Sequence, residues 1–171
     1  MQKLILIPTI ISSLRIAILP LFFYLYNSAS IIACLVLLAF SAATDFFDGY
    51  AARKLRATSK FGAYYDSTTD FALVIGIFTF FTYLGFYPIW LPIIIAVSFI
   101  QFVITSHFAK KIYDPVGKYI GSTLYISIFL TLVFPAQATF LFVQYAFIGF
   151  FVISILSRIA SLARKQSNAL I

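Results

Sequence analysis

The stretch IIACLVLLAFSAATDFFDGYAARKLR, residues 31–56, sets an unbroken apolar run directly against two aspartates, a glycine and a basic cluster. Nothing before Asp45 in that run would break a helix, and a bilayer crossing takes roughly 20 residues, so 31–53 reads as one span. Working outward, a second such run opens near Lys60 and continues to about Leu84, where Gly85-Phe86-Tyr87-Pro88 interrupts it. Further runs fall at about 8–26, 89–109, 117–134 and 137–160, with Pro135 stopping the fifth. The expected fold is an all-α integral membrane protein of six transmembrane helices, one domain over residues 1–171.

Composition points the same way. The chain has 171 residues, 63% hydrophobic and only 10% charged, where a soluble domain carries about 25% charge. No separate soluble domain fits between the spans. Cys34 stands alone, which excludes an intrachain disulfide. The first run has no small-residue cleavage site after it and reads as a retained helix.

The net charge of +7 is explained by topology rather than by nucleic acid. Lys and Arg are absent from the breaks near 27–30, 85–88 and 134–137, and they gather at 53–60, at 110–118 and toward both ends. By the positive-inside rule, that alternation places both termini and the basic breaks in the cytoplasm. Tyr87 and Trp90, flanking an uncharged break, are expected in the interfacial aromatic belt. Asp114-Pro115 reads as a turn start, and a lone His107 near a span end reads as structural.

The acids are not scattered. The chain has five, all aspartate, and Asp45, Asp48, Asp66 and Asp70 lie within 26 residues. Ionisable groups at bilayer depth are functional candidates by default. On a helix Asp45 and Asp48 stand about 60° apart, while Gly62, Asp66 and Asp70 follow one another at i, i+4 and i+8. The short basic break between the two spans makes them antiparallel neighbours, so the acidic faces can converge. Four converging carboxylates need a neutralising cation, and oxygen donors without His or Cys favour Mg²⁺ or a similar hard divalent ion. Two ions so held could clamp phosphoryl oxygens during an in-line displacement. Gly49 and Ala52 remove bulk where a base or diphosphate would approach. Arg53 can pair with phosphate, and Gly62 permits close helix approach.

Between Asp45 and Asp70 the sequence is D-F-F-D-G-Y-A-A-R, eight residues, then G-A-Y-Y-D-S-T-T-D. This resembles, without a gap, the D-x2-D-G-x2-A-R-x8-G-x3-D-x3-D signature of the CDP-alcohol phosphatidyltransferase family. The resemblance implies a six-span homodimer that moves a phosphatidyl or archaetidyl group from a CDP-linked lipid to a small polar alcohol, releasing CMP. It implies two divalent ions, Mg²⁺ or Mn²⁺, on Asp45, Asp48, Asp66 and Asp70, with Asp70 also the general base. Gly49, Ala52 and Arg53 would line the CDP site. The active site would open to the cytoplasm, among membrane lipids.

For the acceptor the sequence offers two patterns. Pro8, Arg15 and Pro20 keep the spacing of the P-N-x2-T-x2-R-x4-P segment of glycerol-phosphate-type members, with Thr9 and Ser12 in place of its Asn and Thr. Asp66-Ser67-Thr68-Thr69-Asp70 looks more like the inositol-phosphate type, although the Arg that usually follows is Phe71 here. The serine-type pattern is absent. The balance leans to inositol phosphate, with glycerol phosphate as the alternative. Lys118, Arg158 and Arg15 are the candidate cations for an acceptor phosphate, and Lys110 and Lys111 read as topological anchors. Arg15 is flanked by apolar residues and could also snorkel to the interface.

Two other classes compete. An intramembrane prenyltransferase would show two Asp-rich motifs far apart along the chain. A cation transporter would leave Gly49, Ala52 and Arg53 without a purpose.

Overall fold

A computed structural model describes residues 2–54, 60–108 and 120–167, with side chains described within 15–44, at 65, and within 67–101 and 121–157. The described residues form six helices: α1 (Gln2–Asn27), α2 (Ile31–Lys54), α3 (Lys60–Tyr83), α4 (Trp90–Phe108), α5 (Ile120–Val133) and α6 (Gln137–Ser167). Among them there is no strand. The six apolar runs are the six helices. The first helix begins earlier than expected, at Gln2, and the last continues to Ser167 through Arg158 and Arg164.

The helix ends follow from local chemistry. At the end of α1, the Ser30 N–H bonds to the Leu25 carbonyl (3.1 Å) and the Ala29 N–H to the Tyr26 carbonyl (3.0 Å). This is a Schellman motif, with Ala29 left-handed at φ 55°. Ser30 then opens α2, its carbonyl taking the Cys34 N–H at 3.1 Å. The same motif ends α3: Phe86 N–H to the Phe81 carbonyl at 2.9 Å and Gly85 N–H to the Thr82 carbonyl at 3.0 Å. There the left-handed residue is Gly85, at φ 80°. The helix α5 stops before Pro135, which has no N–H to continue it.

The chain divides into two compact units, Met1–Phe80 and Phe81–Ile171. In the first, α1 packs along α2, and the Cys34 thiol reaches the Phe22 carbonyl at 3.9 Å. A Cβ on Gly76 of α3 would lie 2.5 Å from a methyl of Leu19, so α1 is seated where that glycine gives room. Further along, Phe23 stacks on Phe80 with centroids 4.6 Å apart, and Tyr26 meets Phe80 edge-on at 5.3 Å. Both contacts advance together along the chain, from Leu19 with Gly76 to Phe23 with Phe80. These segments of α1 and α3 therefore run in the same direction, as two helices joined through an antiparallel third must.

In the second unit α6 packs against α4 and α5. Leu91, Ile95, Leu124, Ile128, Leu132, Val143 and Phe147 are buried. Its buried polar contact joins Tyr87 to Thr131 at 2.5 Å. The single proton of Thr131 goes to the Ser127 carbonyl (2.7 Å), so Tyr87 is the donor. Burial pushes the Tyr87 phenol above its usual 10.0. Phe86 stacks on Phe140 at 4.7 Å and Tyr87 meets the same ring edge-on at 5.6 Å. Tyr87 is thus buried, which corrects its expected place in an interfacial belt: its hydroxyl has an internal partner and does not need water.

Among the described residues, large apolar side chains lie outside as well as in the core, and a few polar ones are buried. Arg15, Ser41, Thr69, Ser127, Thr131 and Ser154 are buried, while Ile32, Val36 and Phe40 of α2 and Phe142, Tyr145 and Leu156 of α6 are exposed. Among the described residues one stretch, Gln137–Ser157, is long and apolar enough to cross a membrane, and shorter apolar stretches lie in the other five helices.

Candidate active site

Asp45, Asp48, Gly49, Ala52 and Arg53 fall on α2, and Gly62, Asp66 and Asp70 on α3. Both helices are continuous through these positions, so the sequence spacing is also the helical spacing: i, i+3 for the first two acids and i, i+4, i+8 from Gly62 to Asp70. The side chains of Asp45, Asp48, Gly49, Ala52, Arg53, Gly62 and Asp66 lie outside the described ones. So does that of Arg158 on α6, together with His107, while Lys110, Lys111, Asp114 and Lys118 lie outside the described residues altogether. Among the described residues no three His, Cys, Asp or Glu side chains gather into a metal-sized group.

Two predicted site residues have described side chains, Asp70 and Arg15, and the fold brings them together across 55 positions of sequence. The Arg15 guanidinium donates from Nη1 to Asp70 Oδ1 at 2.5 Å. Arg15 is 1% exposed and Asp70 25%. A buried guanidinium is costly unless paired, and Asp70 supplies the pairing. This excludes the snorkelling alternative for Arg15: its head turns inward to α3 instead of outward to the interface.

The packing of α1 on α2 sets a second buried polar residue level with Arg15. Phe22 and Cys34 are level with one another on the antiparallel α1 and α2. Seven residues back along α1 lies Arg15, and seven onward along α2 lies Ser41. Each is two turns from the same contact, and both are buried. Ser41 Oγ has no hydrogen-bond partner, whereas Thr79, Ser98 and Ser127 each bond to a carbonyl one turn back. Ser41 stands one turn before Asp45 on α2, and its carbonyl accepts the Thr44 hydroxyl at 2.8 Å.

Thr69, part of the run that suggested inositol phosphate, is buried on α3.

The donor set between residues 45 and 70 holds four carboxylates and no His or Cys. That chemistry fits Mg²⁺ or Mn²⁺ and not zinc. Asp70, partly exposed with one oxygen on a guanidinium, can also act as a proton acceptor.

A family model described as CDP-alcohol phosphatidyltransferase matches residues 5–162, running through both compact units. Among curated proteins the chain is similar to a CDP-diacylglycerol--glycerol-3-phosphate 3-phosphatidyltransferase from Pectobacterium atrosepticum. They are 38% identical over 71 residues, 40% of this chain and 39% of the relative. A protein of the same name from Pseudomonas fluorescens is 42% identical over 71 residues, 40% and 36% of the two chains. One from Yersinia pestis is 38% identical over 71 residues, 40% and 39%. The aligned segment spans about two-fifths of the length of these relatives.

Proposed function

Because this chain belongs to the CDP-alcohol phosphatidyltransferase family, we propose that it transfers the phosphatidyl group of a CDP-linked lipid to glycerol 3-phosphate, releasing CMP. The observation that carries the reaction is the gapless run of eight signature residues from Asp45 to Asp70, borne on two continuous helices. The acceptor follows the names of the similar proteins. They favour the glycerol-phosphate alternative over the lean toward inositol phosphate, as the Pro8–Arg15–Pro20 spacing in α1 also does.

In this reading the acceptor hydroxyl oxygen attacks the phosphorus that carries the lipid alkoxide. The bond from that phosphorus to the bridging oxygen breaks, CMP leaves with the oxygen, and the hydroxyl proton passes to the Asp70 carboxylate. Asp45, Asp48, Asp66 and Asp70 would hold two divalent ions, which supply charge neutralisation for the diphosphate. Gly49 and Ala52 leave room for the CDP moiety, and Arg53 pairs with its phosphates. Lys118 and Arg158 are the cations proposed for the acceptor phosphate.

The setting is a six-span membrane protein with both termini and the active site on the cytoplasmic side, assembled as a homodimer. Its exposed apolar faces support burial among lipids, since a helix face of Ile32, Val36 and Phe40 is stable in hydrocarbon. The distribution of Lys and Arg supports the orientation. Purified protein given Mg²⁺ and CDP-diacylglycerol should release CMP with glycerol 3-phosphate and remain near background with inositol phosphate, serine or inositol. CMP release with inositol phosphate alone would overturn the acceptor. Metal flux into vesicles without CMP release from any acceptor would overturn the reaction.

A further inference from the structure

We infer that Arg15 is a positioning residue, fixing the Asp70 carboxylate through Oδ1 so that the same oxygen of this base meets the acceptor hydroxyl at every turnover. The inference rests on the reaction proposed above, in which Asp70 takes the proton.

Three observations carry it. Arg15 lies one turn before Leu19, which meets Gly76 of α3, and two turns before Phe22, which meets Cys34 of α2. Its backbone is therefore held by both α2 and α3. Its side chain is 1% exposed and bonded to Asp70, so it is not placed as a free cation at the mouth of a site. The bond also bears on the geometry of a reaction at Asp70. An unheld carboxylate turns about its Cβ–Cγ bond and exchanges its two oxygens, and pinning Oδ1 removes that exchange. Proton transfer depends on such alignment, and an error of about 1 Å can lower a rate about 100-fold.

This assignment differs from a role for Arg15 in holding the acceptor phosphate, and kinetics separates the two. An interaction that only aligns the base lowers kcat and leaves binding alone, whereas loss of a phosphate contact raises the acceptor KM. Lysine keeps the charge of arginine but not its planar fork, so Arg15→Lys should restore part of what Arg15→Gln loses.

The test uses the full chain in detergent with Mg²⁺, CDP-diacylglycerol and glycerol 3-phosphate. Arg15→Gln should lower kcat about 100-fold with both KM values unchanged, and Arg15→Lys should fall between it and the wild type. In thermal melts Arg15→Gln should lower the Tm of the wild-type chain, with little further effect in an Asp70→Asn background. An unchanged kcat would overturn the inference, as would a raised acceptor KM at unchanged kcat, or melting effects that simply add. Those results require a wild-type chain that turns over. A wild-type chain that releases no CMP would instead overturn the proposed reaction, and the positioning role with it.

Discussion

The two compact units solve one problem in opposite ways. Each buries polar side chains among apolar helices, but the first does it with a charged pair, Arg15 and Asp70, and the second with a neutral one, Tyr87 and Thr131. In the second unit the hydroxyls close on one another. Tyr87 gives its proton to Thr131 and Thr131 gives its own to the Ser127 carbonyl, so the chain ends on the backbone. That arrangement ties a loop to a helix and leaves little chemistry over. In the first unit the carboxylate stays 25% exposed beside its guanidinium, an open group in a region that also carries the other three acids of the signature. The charged pair falls where the proposed reaction would take place, and the neutral one does not.

The comparison is sharpest when each pair is cut. Removing Arg15 with Arg15→Ala leaves Asp70 without its cation and should cost about 3 kcal/mol of stability. Tyr87→Phe should cost about 1 kcal/mol, the usual net value of one hydrogen bond, with turnover unchanged. Thermal unfolding in detergent alongside CMP release would check both. Equal stability losses would remove the distinction between the units.

Glycines extend the contrast. A Cβ at Gly76 would press on Leu19, while at Gly149 of α6 it would meet nothing within 4 Å. Gly76→Ala should therefore destabilise by about 1 kcal/mol, since the half-buried Leu19 methyls can turn aside. Gly149→Ala should be neutral or stabilise by up to about 1 kcal/mol through helix propensity. The same melts decide it.

The smallest effects belong to the two Schellman turns. One places alanine in the left-handed region, Ala29, and the other glycine, Gly85. Relieving the first with Ala29→Gly should stabilise by about 1 kcal/mol, and Gly85→Ala should cost about as much. Opposite shifts in Tm would confirm that both turns are conformational and carry no side-chain role.

Much of this was legible in the sequence, and the reason is physical. Membrane helices need long apolar runs, and Pro and Gly punctuate them, so all six helices could be read, although α1 begins six residues earlier and α6 ends seven later than expected. The aspartate spacing could be read because its helices are continuous, which turns sequence intervals into helical ones. The partner of Arg15 was not legible. It depends on how α1 sits against α3, and that is decided by the fit of Leu19 against Gly76 and of Phe23 on Phe80, which no local pattern encodes. Tyr87 was misplaced for a similar reason, since an aromatic at a helix break can face lipid or find Thr131 on a distant helix. For the acceptor the sequence offered two patterns, and the names of the similar proteins favour the one in α1 over Ser67-Thr68-Thr69.

The central claim is that Asp70 acts chemically and is not merely the counter-ion of a buried arginine. The direct test is Asp70→Asn, with CMP release and CDP-diacylglycerol binding measured on the same purified sample. The account predicts turnover reduced about 100-fold or more with donor binding retained. Turnover at the wild-type rate in a folded Asp70→Asn protein would contradict it.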